Sequence, residues 1–312
     1  MRVINISTND WANFGYDNAK ALSSVGVDAN SYCLYKHPFN YSNASEVVTE
    51  HYMTKLIQES DIIQIMHTDL RAASLCLPFV NTSRKFYVYH TGTPYRRNPE
   101  LANKAFNPIV HGSFTDHCEL VNLGAKNCKY VATAIDIDKL QTIRKAKHTL
   151  NYKPVIGHFP SNPKTKGTEN IKTLLTSDKI LSGRFDINID TSIIPHDLNL
   201  ERIAKCDIYF ELFNPTIDDK PYGHWGVTAF EAAAMGLYVI TQNIAIEEYT
   251  KAYGQCPFFL LDELTASNFF KLFLDMCEDG GLINGNYKYG QDIINERHSY
   301  AATGKYLLSL LK

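Results

Sequence analysis

The sequence predicts an α/β protein built from two Rossmann-like domains that face each other across a cleft. Apolar, β-rich runs alternate with helical patterns almost from end to end, which is typical of parallel βαβ units with helices on both faces of a sheet. The chain has 312 residues, and single hydrophobic cores stop growing at roughly 250–300 residues. The alternation also breaks once, near the middle of the chain. Together these observations predict two domains of similar size.

The first half of the chain contains six predicted strands, and helical patterns lie between them. The strands are Arg2–Ser7, Val27–Leu34, Asp61–Met66, Lys85–His90, Pro108–His111 and Lys129–Ala132. The helical patterns include Tyr16–Ser24, Leu70–Leu77 and Thr115–Leu123. The second half repeats this rhythm with strands at Pro154–Phe159, Arg184–Ile189, Asp207–Leu212, Tyr238–Thr241 and Pro257–Leu261.

The break in the rhythm is the charged segment 141–153, QTIRKAKHTLNYK, which has no strand character and is interpreted as the linker. The predicted domains are therefore an N-terminal Rossmann-like domain at 1–147 and a C-terminal Rossmann-like domain at 148–290. An amphipathic helix at Tyr300–Leu311, within the segment 291–312, is expected to pack back on the domains. Ligands are expected at the carboxyl ends of the strands and in the cleft.

Composition excludes several classes of protein. The net charge of −2 gives no global basic field for nucleic acid or anionic membrane. The seven cysteines are scattered without zinc spacing, which favours free thiols in a reducing, cytoplasmic setting. The N-terminus begins with a strand-like run, and no apolar run approaches the ~18–20 residues of a membrane span, so neither a signal peptide nor a transmembrane segment is predicted.

One segment that carries chemistry is GHWGVTAFEAAAMGLYVIT, residues 223–241. Gly223 and Gly226 allow the backbone to approach a ligand, and a helix that begins near Gly226 offers free N–H groups to anionic oxygens. Glu231 lies about a turn and a half into this helix. Its carboxylate can accept two hydrogen bonds from a diol such as a ribose. The competing interpretation is that Glu231 only pairs with a neighbouring lysine.

A second segment, IGHFPSNPKTKGTENI at 156–171, runs from a strand to a helix start at Lys166 and Gly167. An ammonium group beside a helix N-terminus is a suitable anion site. In isolation a solvated turn with surface lysines is the favoured interpretation, and the combination with Glu231 later in the chain reverses that preference. His158 and His196 are possible neighbours of such a site.

Both segments resemble the donor-binding region of GT-B glycosyltransferases of the GT4 type (glycosyltransferase group 1). The pattern of that family is E-x7-E followed by A-M-A-x-G-x-P-V-I. The resemblance implies the GT-B fold, with Glu231 as the second Glu, which binds the ribose hydroxyls. The first Glu falls on Gly223, so the usual sugar contact is missing here. Backbone N–H groups are expected to hold the sugar or phosphate instead, and they belong to His224, Trp225, Gly226 and Val227.

By the same resemblance, Lys166 holds the donor diphosphate and is a catalytic residue, with Gly167 directly after it. The Arg that commonly lies five positions before this Lys is absent, and Ser161 takes its place. Hydrogen bonds from Ser161, Asn162 and Thr168 are expected to substitute for it. Replacing Glu231 or Lys166 with alanine is expected to lower donor affinity or turnover and to leave the melting temperature nearly unchanged.

Two loops of the N-terminal half also match the family pattern. HTGTPYRRNPE at 90–100 resembles the region where a His faces the sugar, which makes His90 the second catalytic residue. The acceptor-side residues expected from this loop are Thr91, Gly92, Arg96 and Arg97, although a solvated turn explains the stretch equally well. STNDWANFGYDNAKAL at 7–22 resembles the first β-to-α loop, with one glycine rather than two. It adds Asp10, Asn13 and Gly15 as acceptor-side residues.

No metal and no cofactor are predicted. The pair Asp136-x-Asp138 superficially resembles a metal-binding motif, but a helix cap with an acid in the first turn is the better interpretation. GT-B enzymes generally need no metal to activate the donor. The nucleotide-sugar is a co-substrate.

The resemblance implies a retaining, metal-independent glycosyltransferase (hexosyl or pentosyl) that moves a sugar from a UDP- or GDP-sugar to a glycan or glycoconjugate. One alternative is a phage-type enzyme that glycosylates hydroxymethylated pyrimidines in DNA. Phosphate contacts would then come from Arg96, Arg97, Arg144, Lys145 and Lys147. Two further alternatives are an epimerase and, because of Gly223, a non-catalytic nucleotide-sugar-binding protein. Nothing in the sequence indicates the oligomeric state.

Overall fold

A computed structural model describes residues 1–148, 153–177, 183–214, 216–217, 220–244, 246–278 and 287–311. The chain forms two compact units. Unit 1 comprises Met1–Ala134, Glu247–Ala252 and Arg297–Lys312, and unit 2 comprises Ile135–Ile246 and Tyr253–Glu296. Each unit contains a parallel sheet with helices, so the predicted α/β class is confirmed.

The sheet of unit 1 has seven parallel strands in the order β3-β2-β1-β4-β5-β6-β7. They are β1 (Arg2–Asn9), β2 (Asp28–Tyr35), β3 (Glu46–Val47), β4 (Ile62–Ile65), β5 (Lys85–His90), β6 (Gly112–Thr115) and β7 (Lys129–Tyr130). The helices that follow them in the first half of the chain are α1 (Phe14–Ser24), α2 (Glu50–Gln58), α3 (Leu70–Cys76), α4 (Gly92–Arg97) and α5 (Pro99–Phe106).

Unit 2 has a five-stranded parallel sheet in the order β14-β13-β10-β8-β9, and a separate antiparallel pair, β11-β12. The strands are β8 (Val155–His158), β9 (Asp186–Ile189), β10 (Ile208–Phe210), β11 (Thr216–Ile217), β12 (Lys220–Pro221), β13 (Tyr238–Gln242) and β14 (Phe259–Leu261). The remaining helices within the described residues are α6 (Ile137–Lys147), α7 (Pro163–Lys166), α8 (Thr168–Ser177), α9 (His196–Ile203), α10 (Val227–Ala234), α11 (Glu247–Tyr253), α12 (Ala266–Glu278), α13 (Lys288–His298) and α14 (Tyr300–Leu310).

Strand β1 illustrates why these apolar runs form central strands. Its side chains alternate between the two faces of the sheet, as the period of two requires. Ile4 and Ile6 pack into the core on one face, with Ile63 of β4, and Val3 packs with Phe14 on the other. A strand that is buried on both faces has a nearly continuous apolar sequence, and this pattern predicted β1.

One predicted strand, Pro108–His111, is wrong. These residues form the turn after α5, and the N–H groups of Ile109 and Val110 both bond to the carbonyl of Phe106. The apolar pair is buried by that turn instead of by a sheet. The strand lies at 112–115 and ends at Thr115, where the sequence predicted a helix to begin; a short 3-10 turn at Cys118–Leu120 follows. Helices α2 and α5 lie between predicted strands, where helical patterns were expected without stated bounds, and α4 occupies a stretch that was predicted as a loop.

The predicted linker, 141–153, begins inside helix α6. Asp136 caps this helix by accepting the N–H of Lys139 at 3.1 Å, as the sequence indicated. Arg144, in the charged stretch, is 7% exposed and donates to the carbonyl oxygens of Ala204 and Cys206 at 2.6 and 2.5 Å. The division between the units therefore falls earlier in the chain, between Ala134 and Ile135. Among the described helices, none is both long and apolar enough to cross a membrane.

Helix α14 packs against α1 within unit 1, and the contact depends on Gly304. A Cβ at this position would lie 2.0 Å from the carbonyl oxygen of Ala21, so only glycine lets the two backbones approach this closely. Leu307 and Leu311 of the same segment are fully buried.

We expect Gly304→Ala to lower the free energy of unfolding by roughly 3 kcal/mol, at the upper end of the overpacking range, because backbone atoms must separate. In an ordinary helix the same change stabilises by about 1 kcal/mol. Ala301→Gly, at an exposed position of α14, measures that propensity contribution alone. Chemical denaturation of both variants checks the prediction, and a stabilised Gly304→Ala protein would contradict the close approach.

Candidate functional site

The two predicted donor segments lie at the carboxyl edge of the unit 2 sheet. Strand β8 leads through Ser161 and Asn162 into the short helix α7, which ends at Lys166. Strand β10 ends directly before Glu211, and helix α10 begins after Gly226, its N-cap. Because β8 and β10 are neighbours in the sheet, their loops meet at one edge.

Lys166, Glu211 and Gly226 form one cluster there. Glu211 is 2% exposed, accepts the Gly226 N–H at 2.9 Å and forms an ion pair with the Lys166 ammonium. Burial alone lowers the pKa of Lys166, but the charge of Glu211 outweighs it and raises the pKa above its ordinary value. A Cβ at Gly226 would lie 2.7 Å from the Lys166 Nζ and 2.6 Å from the Glu211 Oε1, so a larger residue here would displace the ends of both side chains. The ammonium thus lies at the N-terminus of α10.

Sequence analysis missed Glu211, which it placed inside the apolar strand Asp207–Leu212. The available signal was an acid directly after three buried apolar residues at the carboxyl end of a strand. The Glu211 carboxylate accepts bonds from the Gly226 N–H and from the Lys166 ammonium group, the same kinds of donor that an anionic ligand uses at a helix N-terminus.

Glu231 lies on α10 and is 7% exposed. Its Oε1 accepts a hydrogen bond at 2.7 Å from Nε2 of His196, the first residue of α9. The partner is therefore a histidine, whereas the competing interpretation expected a lysine. A carboxylate offers about four lone-pair sites, so a bond to one oxygen leaves capacity for a diol.

Gly167 has φ 71°, a left-handed conformation that favours glycine. A Cβ there would lie 2.3 Å from the Phe213 carbonyl oxygen. The Phe213 N–H also donates to the Lys166 carbonyl at 3.0 Å, which links the loop to the segment after β10. The local packing thus requires glycine directly after Lys166.

The other predicted residues of this segment differ in exposure. Thr168 is 1% exposed, and its hydroxyl lies 2.9 Å from Nε2 of His158. Because His158 Nδ1 donates to the Phe210 carbonyl at 2.8 Å, its Nε2 accepts the Thr168 proton, and this hydroxyl stabilises the loop. Ser161 and Asn162 are exposed, and Asn162 caps α7 by accepting the N–H of Thr165.

The stretch before α10 is built around an aromatic cluster. Trp225 is 2% exposed and packs edge-on against Phe258 at 5.0 Å between ring centroids. Its side chain therefore belongs to the core, while His224 and Val227 are partly exposed and Gly223 is buried. That the backbone N–H groups of 224–227 contact a sugar or phosphate stays a prediction.

In unit 1, Asp10 organises the first β-to-α loop. It is 4% exposed and accepts the N–H groups of Gly15 and Tyr16 at 2.7 and 2.9 Å, the Ser45 hydroxyl at 2.6 Å, and the His67 Nε2–H at 3.1 Å. Burial alone raises the pKa of Asp10, but these partners, His67 foremost, hold it below its ordinary value. A Cβ at Gly15 would lie 2.8 Å from the Ser31 hydroxyl oxygen, which explains the single glycine of this loop.

Two loops at the carboxyl edge of this sheet contain left-handed residues other than glycine. Ala12 and Asn13 follow β1 with φ 54° and 59°, and His67 and Thr68 follow β4 with φ 63° and 57°. Each left-handed residue other than glycine lowers the stability of the folded state by of order 1–3 kcal/mol. Such strained residues cluster at functional sites. Asn13, a predicted acceptor-side residue, is 7% exposed, and its side-chain oxygen has no hydrogen-bond partner within the described residues.

The predicted catalytic residue His90 is fully buried. It stacks on Tyr95 with 4.0 Å between centroids, and its Nδ1 lies 3.2 Å from the Thr68 hydroxyl. Burial lowers its pKa to about 3, so it is neutral at pH 7. The histidine that reaches the Asp10 loop is His67, which also contacts the Thr91 hydroxyl at 3.2 Å through Nδ1. Sequence analysis left His67 unassigned.

The two arginines predicted on the acceptor side, Arg96 and Arg97, differ in their surroundings. Arg96 is 6% exposed and forms a two-bond pair with Glu119 at 2.5 and 3.1 Å, so its charge is used inside unit 1. Arg97 is exposed. Gly92 begins α4 with φ 53°. The stretch predicted as a loop is therefore mainly helical.

The buried histidines predict acid sensitivity. Burial lowers the pKa of His90 to about 3 and of His158 to about 4, whereas an unfolded histidine titrates near 6.5. Below pH 6.5 the unfolded state binds more protons, so stability falls as pH falls toward those values. We expect a loss of about 1.4 kcal/mol per pH unit for each histidine between pH 6 and 4.5. Urea unfolding across this range checks the prediction. His158→Asn should reduce the slope of the free energy of unfolding against pH.

Comparison with known proteins supports the fold. No protein-family model matches the sequence, and no curated protein sequence matches it significantly. Solved structures match over nearly the whole chain. HepE from Anabaena in complex with UDP and glucose has a TM-score of 0.65 at 14% identity, covering 100% of this chain and 99% of that chain. An alpha-glucosyltransferase in complex with UDP and a 13-mer DNA has a TM-score of 0.69 at 10% identity, with the same coverage.

Sucrose-phosphate synthase from Thermosynechococcus elongatus matches with a TM-score of 0.61 at 10% identity, covering 99% of this chain and 98% of that chain. At such identities the likeness establishes the fold alone. The chain has the GT-B fold of these glycosyltransferases, and the predicted fold class is confirmed.

Proposed function

We propose that this chain is a glycosyltransferase that moves a sugar from a UDP-sugar to a hydroxyl group of a glycan or glycoconjugate. The observation that carries the proposal is the cluster of Lys166 and Gly226, which brings an ammonium group to the N-terminus of α10. The two motifs lie far apart in sequence, and each was independently expected to bind the donor. UDP in the HepE and alpha-glucosyltransferase complexes favours a uridine nucleotide over GDP.

The transfer requires that negative charge on the departing UDP be stabilised while positive charge grows at the anomeric carbon. Lys166 and the N–H groups at the start of α10 supply that stabilisation from fixed positions. Glu231, oriented by His196, accepts the ribose hydroxyls. The bond from the anomeric carbon to the phosphate oxygen breaks with its electron pair on UDP, and the acceptor oxygen forms the new bond and transfers its proton to the leaving phosphate. This scheme retains configuration and needs neither a metal nor a protein nucleophile.

The acceptor side is assigned to Asp10 and His67 instead of His90. Asp10 accepts the His67 Nε2–H, which fixes the imidazole against the Thr91 hydroxyl. The strained backbone at Ala12, Asn13, His67 and Thr68 supports a binding role for these loops. His90 then stabilises the loop after β4 through its hydrogen bond to the Thr68 hydroxyl.

A glycan acceptor is favoured over DNA because several basic residues suggested for phosphate contacts have internal partners. Arg96 pairs with Glu119, Arg144 bonds to two backbone carbonyls, and Lys147 pairs with Glu201 at 3.0 Å. Of the five, Arg97 and Lys145 are exposed. DNA remains one arm of the experiment, since the alpha-glucosyltransferase complex contains it.

The test is release of UDP from UDP-glucose, UDP-galactose and UDP-N-acetylglucosamine, with GDP-sugars in parallel. Each donor is incubated alone, with oligosaccharides, and with duplex DNA containing hydroxymethylated pyrimidines. We expect release that an oligosaccharide stimulates and that EDTA leaves unchanged. Stimulation by DNA alone would overturn the acceptor assignment. Donor binding without release under any condition would identify a non-catalytic binder, with Gly223 as the reason.

A further inference from the structure

The carboxyl edge of the unit 1 sheet carries an exposed aromatic residue that the proposed reaction does not use. Trp11 lies in a 3-10 turn directly after β1, and it is 52% exposed. The other tryptophan of the chain, Trp225, is 2% exposed. Tryptophan side chains are highly buried on average, so a half-exposed indole at the edge where α/β sheets bind ligands points to a binding role.

The Trp11 ring is held in place by the loop that follows β2, residues 36–45. The buried His37 ring packs perpendicular to the indole, with 4.9 Å between centroids. His37 in turn contacts the rings of Phe39 and Tyr41, at 4.8 and 5.4 Å between centroids. The indole is therefore anchored by an aromatic cluster and still leaves half of its surface open to solvent.

Hydrogen bonds also join the loop 36–45 to the turn that contains Trp11. The hydroxyl of Ser45 donates to the carboxylate of Asp10, directly before Trp11, at 2.6 Å. Ala12, directly after Trp11, has φ 54°, a strained conformation that persists only where the surrounding contacts fix it. Because the indole is fixed before any ligand arrives, binding on its face costs little conformational entropy.

The side chains around the indole define the chemistry of the partner. The segment KHPFNYSNAS (36–45) contains one lysine, Lys36, and no carboxylate. Its exposed polar side chains are amides and a hydroxyl, those of Asn40, Asn43 and Ser42. In binding loops, aromatic side chains supply rigid contact area, and Ser and Asn supply adaptable hydrogen bonds. The surface thus combines an apolar ring with neutral donors and acceptors.

This combination selects among classes of partner. A nucleic acid is bound mainly through its phosphates, which require several cations, whereas the loop supplies Lys36 alone. A protein interface has an apolar core, whereas the loop exposes mainly amide and hydroxyl groups around one indole. A glycan fits both features, because the C–H face of a sugar ring packs on an aromatic ring and its hydroxyls both donate and accept hydrogen bonds.

We propose that Trp11 and the loop 36–45 form a glycan-binding surface, in which a sugar ring packs on the indole and its hydroxyls bond to Asn40, Ser42 and Asn43. The proposal deepens the proposed function and rests on it for the role of the glycan, which is the acceptor. Recognition of the acceptor then extends from the loops after β1 and β4 to the loop after β2.

The experiment measures binding of maltohexaose, cellohexaose, mannohexaose and chitohexaose by saturation-transfer NMR and calorimetry, without any nucleotide. We expect one of them to bind, and Trp11→Ala to bind it roughly tenfold more weakly because packing on the indole is lost. Trp11→Tyr keeps an aromatic ring and should recover part of the affinity. Tyr289→Ala is the matched control, since this aromatic residue of unit 2 is 44% exposed, and it should leave sugar binding unchanged.

Tryptophan fluorescence of the unmodified protein provides a readout that needs no variant. Because Trp225 is buried, acrylamide quenches mainly the emission of Trp11. The oligosaccharide that binds should protect this emission from quenching. Binding that leaves the quenching unchanged would place the glycan elsewhere and overturn the proposal.

Two other results would also overturn it. One is that none of the oligosaccharides binds, or that Trp11→Ala binds them as the unmodified protein does. The other is binding of a single-stranded oligonucleotide alone, lost in Trp11→Ala, which would identify a surface for nucleobases. Failure of the proposed function is a separate result, because glycan binding that depends on Trp11, without UDP release from any donor, supports the surface and refutes sugar transfer.

Discussion

Replacing Lys166 with methionine should lower kcat for sugar transfer from a UDP-sugar by roughly 10²–10³-fold. This is the usual loss when one fixed donor to a developing negative charge is removed. The ammonium lies at the N-terminus of α10, where the leaving diphosphate is expected, so its contribution is largest in the transition state. The readout is steady-state UDP release at saturating donor.

The same change should also destabilise the protein, contrary to the expectation from sequence alone. Lys166 is the ion-pair partner of Glu211, which is 2% exposed. Breaking a buried pair from one side costs about 3–5 kcal/mol because the remaining charge is uncompensated. The double variant Lys166→Met/Glu211→Gln removes both charges, while the carbonyl oxygen of the introduced amide can still accept the Gly226 N–H. It should recover most of the stability and none of the activity.

Lys164→Met provides the matched control, since this exposed lysine lies in the same short helix. It should leave both kcat and the melting temperature unchanged. Recovery of activity in the double variant would contradict a direct role of Lys166, because the loss in the single variant would then come from the stranded Glu211 charge.

The second large effect is expected for Glu231→Ala, which should raise the KM for the UDP-sugar by roughly 10–150-fold. Each hydrogen bond to a charged acceptor contributes about 1.5–3 kcal/mol, and the ribose hydroxyls are bound alike before and during transfer. The value of kcat should therefore change little. The opposite signatures, kcat for Lys166 and KM for Glu231, separate stabilisation of the leaving group from binding of the nucleoside.

Glu169→Ala is the control for this measurement. Its side chain is 84% exposed and pairs with Lys172 on the surface of α8. A Glu231→Ala enzyme with an unchanged KM would remove the ribose contact from the mechanism, whatever the outcome for Lys166.

The sequence allowed the fold and part of the candidate site to be predicted, for identifiable physical reasons. Strands buried on both faces, such as β1, produce continuous apolar runs, and Gly226 with Glu231 marks a helix start that can bind a ligand. Glu211 could not be assigned, because its partner Lys166 lies on the neighbouring strand's loop and only the sheet order brings them together. For a related reason the sequence could not show that His90 is buried against Tyr95, since burial is a tertiary property.

The pairing of Lys166 with Glu211 has a consequence for which molecules can bind at the candidate site. A lone ammonium at a helix start would attract any small anion, and inorganic phosphate is abundant wherever nucleotides are used. With its charge already balanced by Glu211, the resting site is close to electrically neutral and gives free phosphate little net attraction. Under the proposed function a whole nucleotide-sugar would also gain the contact to Glu231, so we expect the resting ion pair to favour it over simple phosphate.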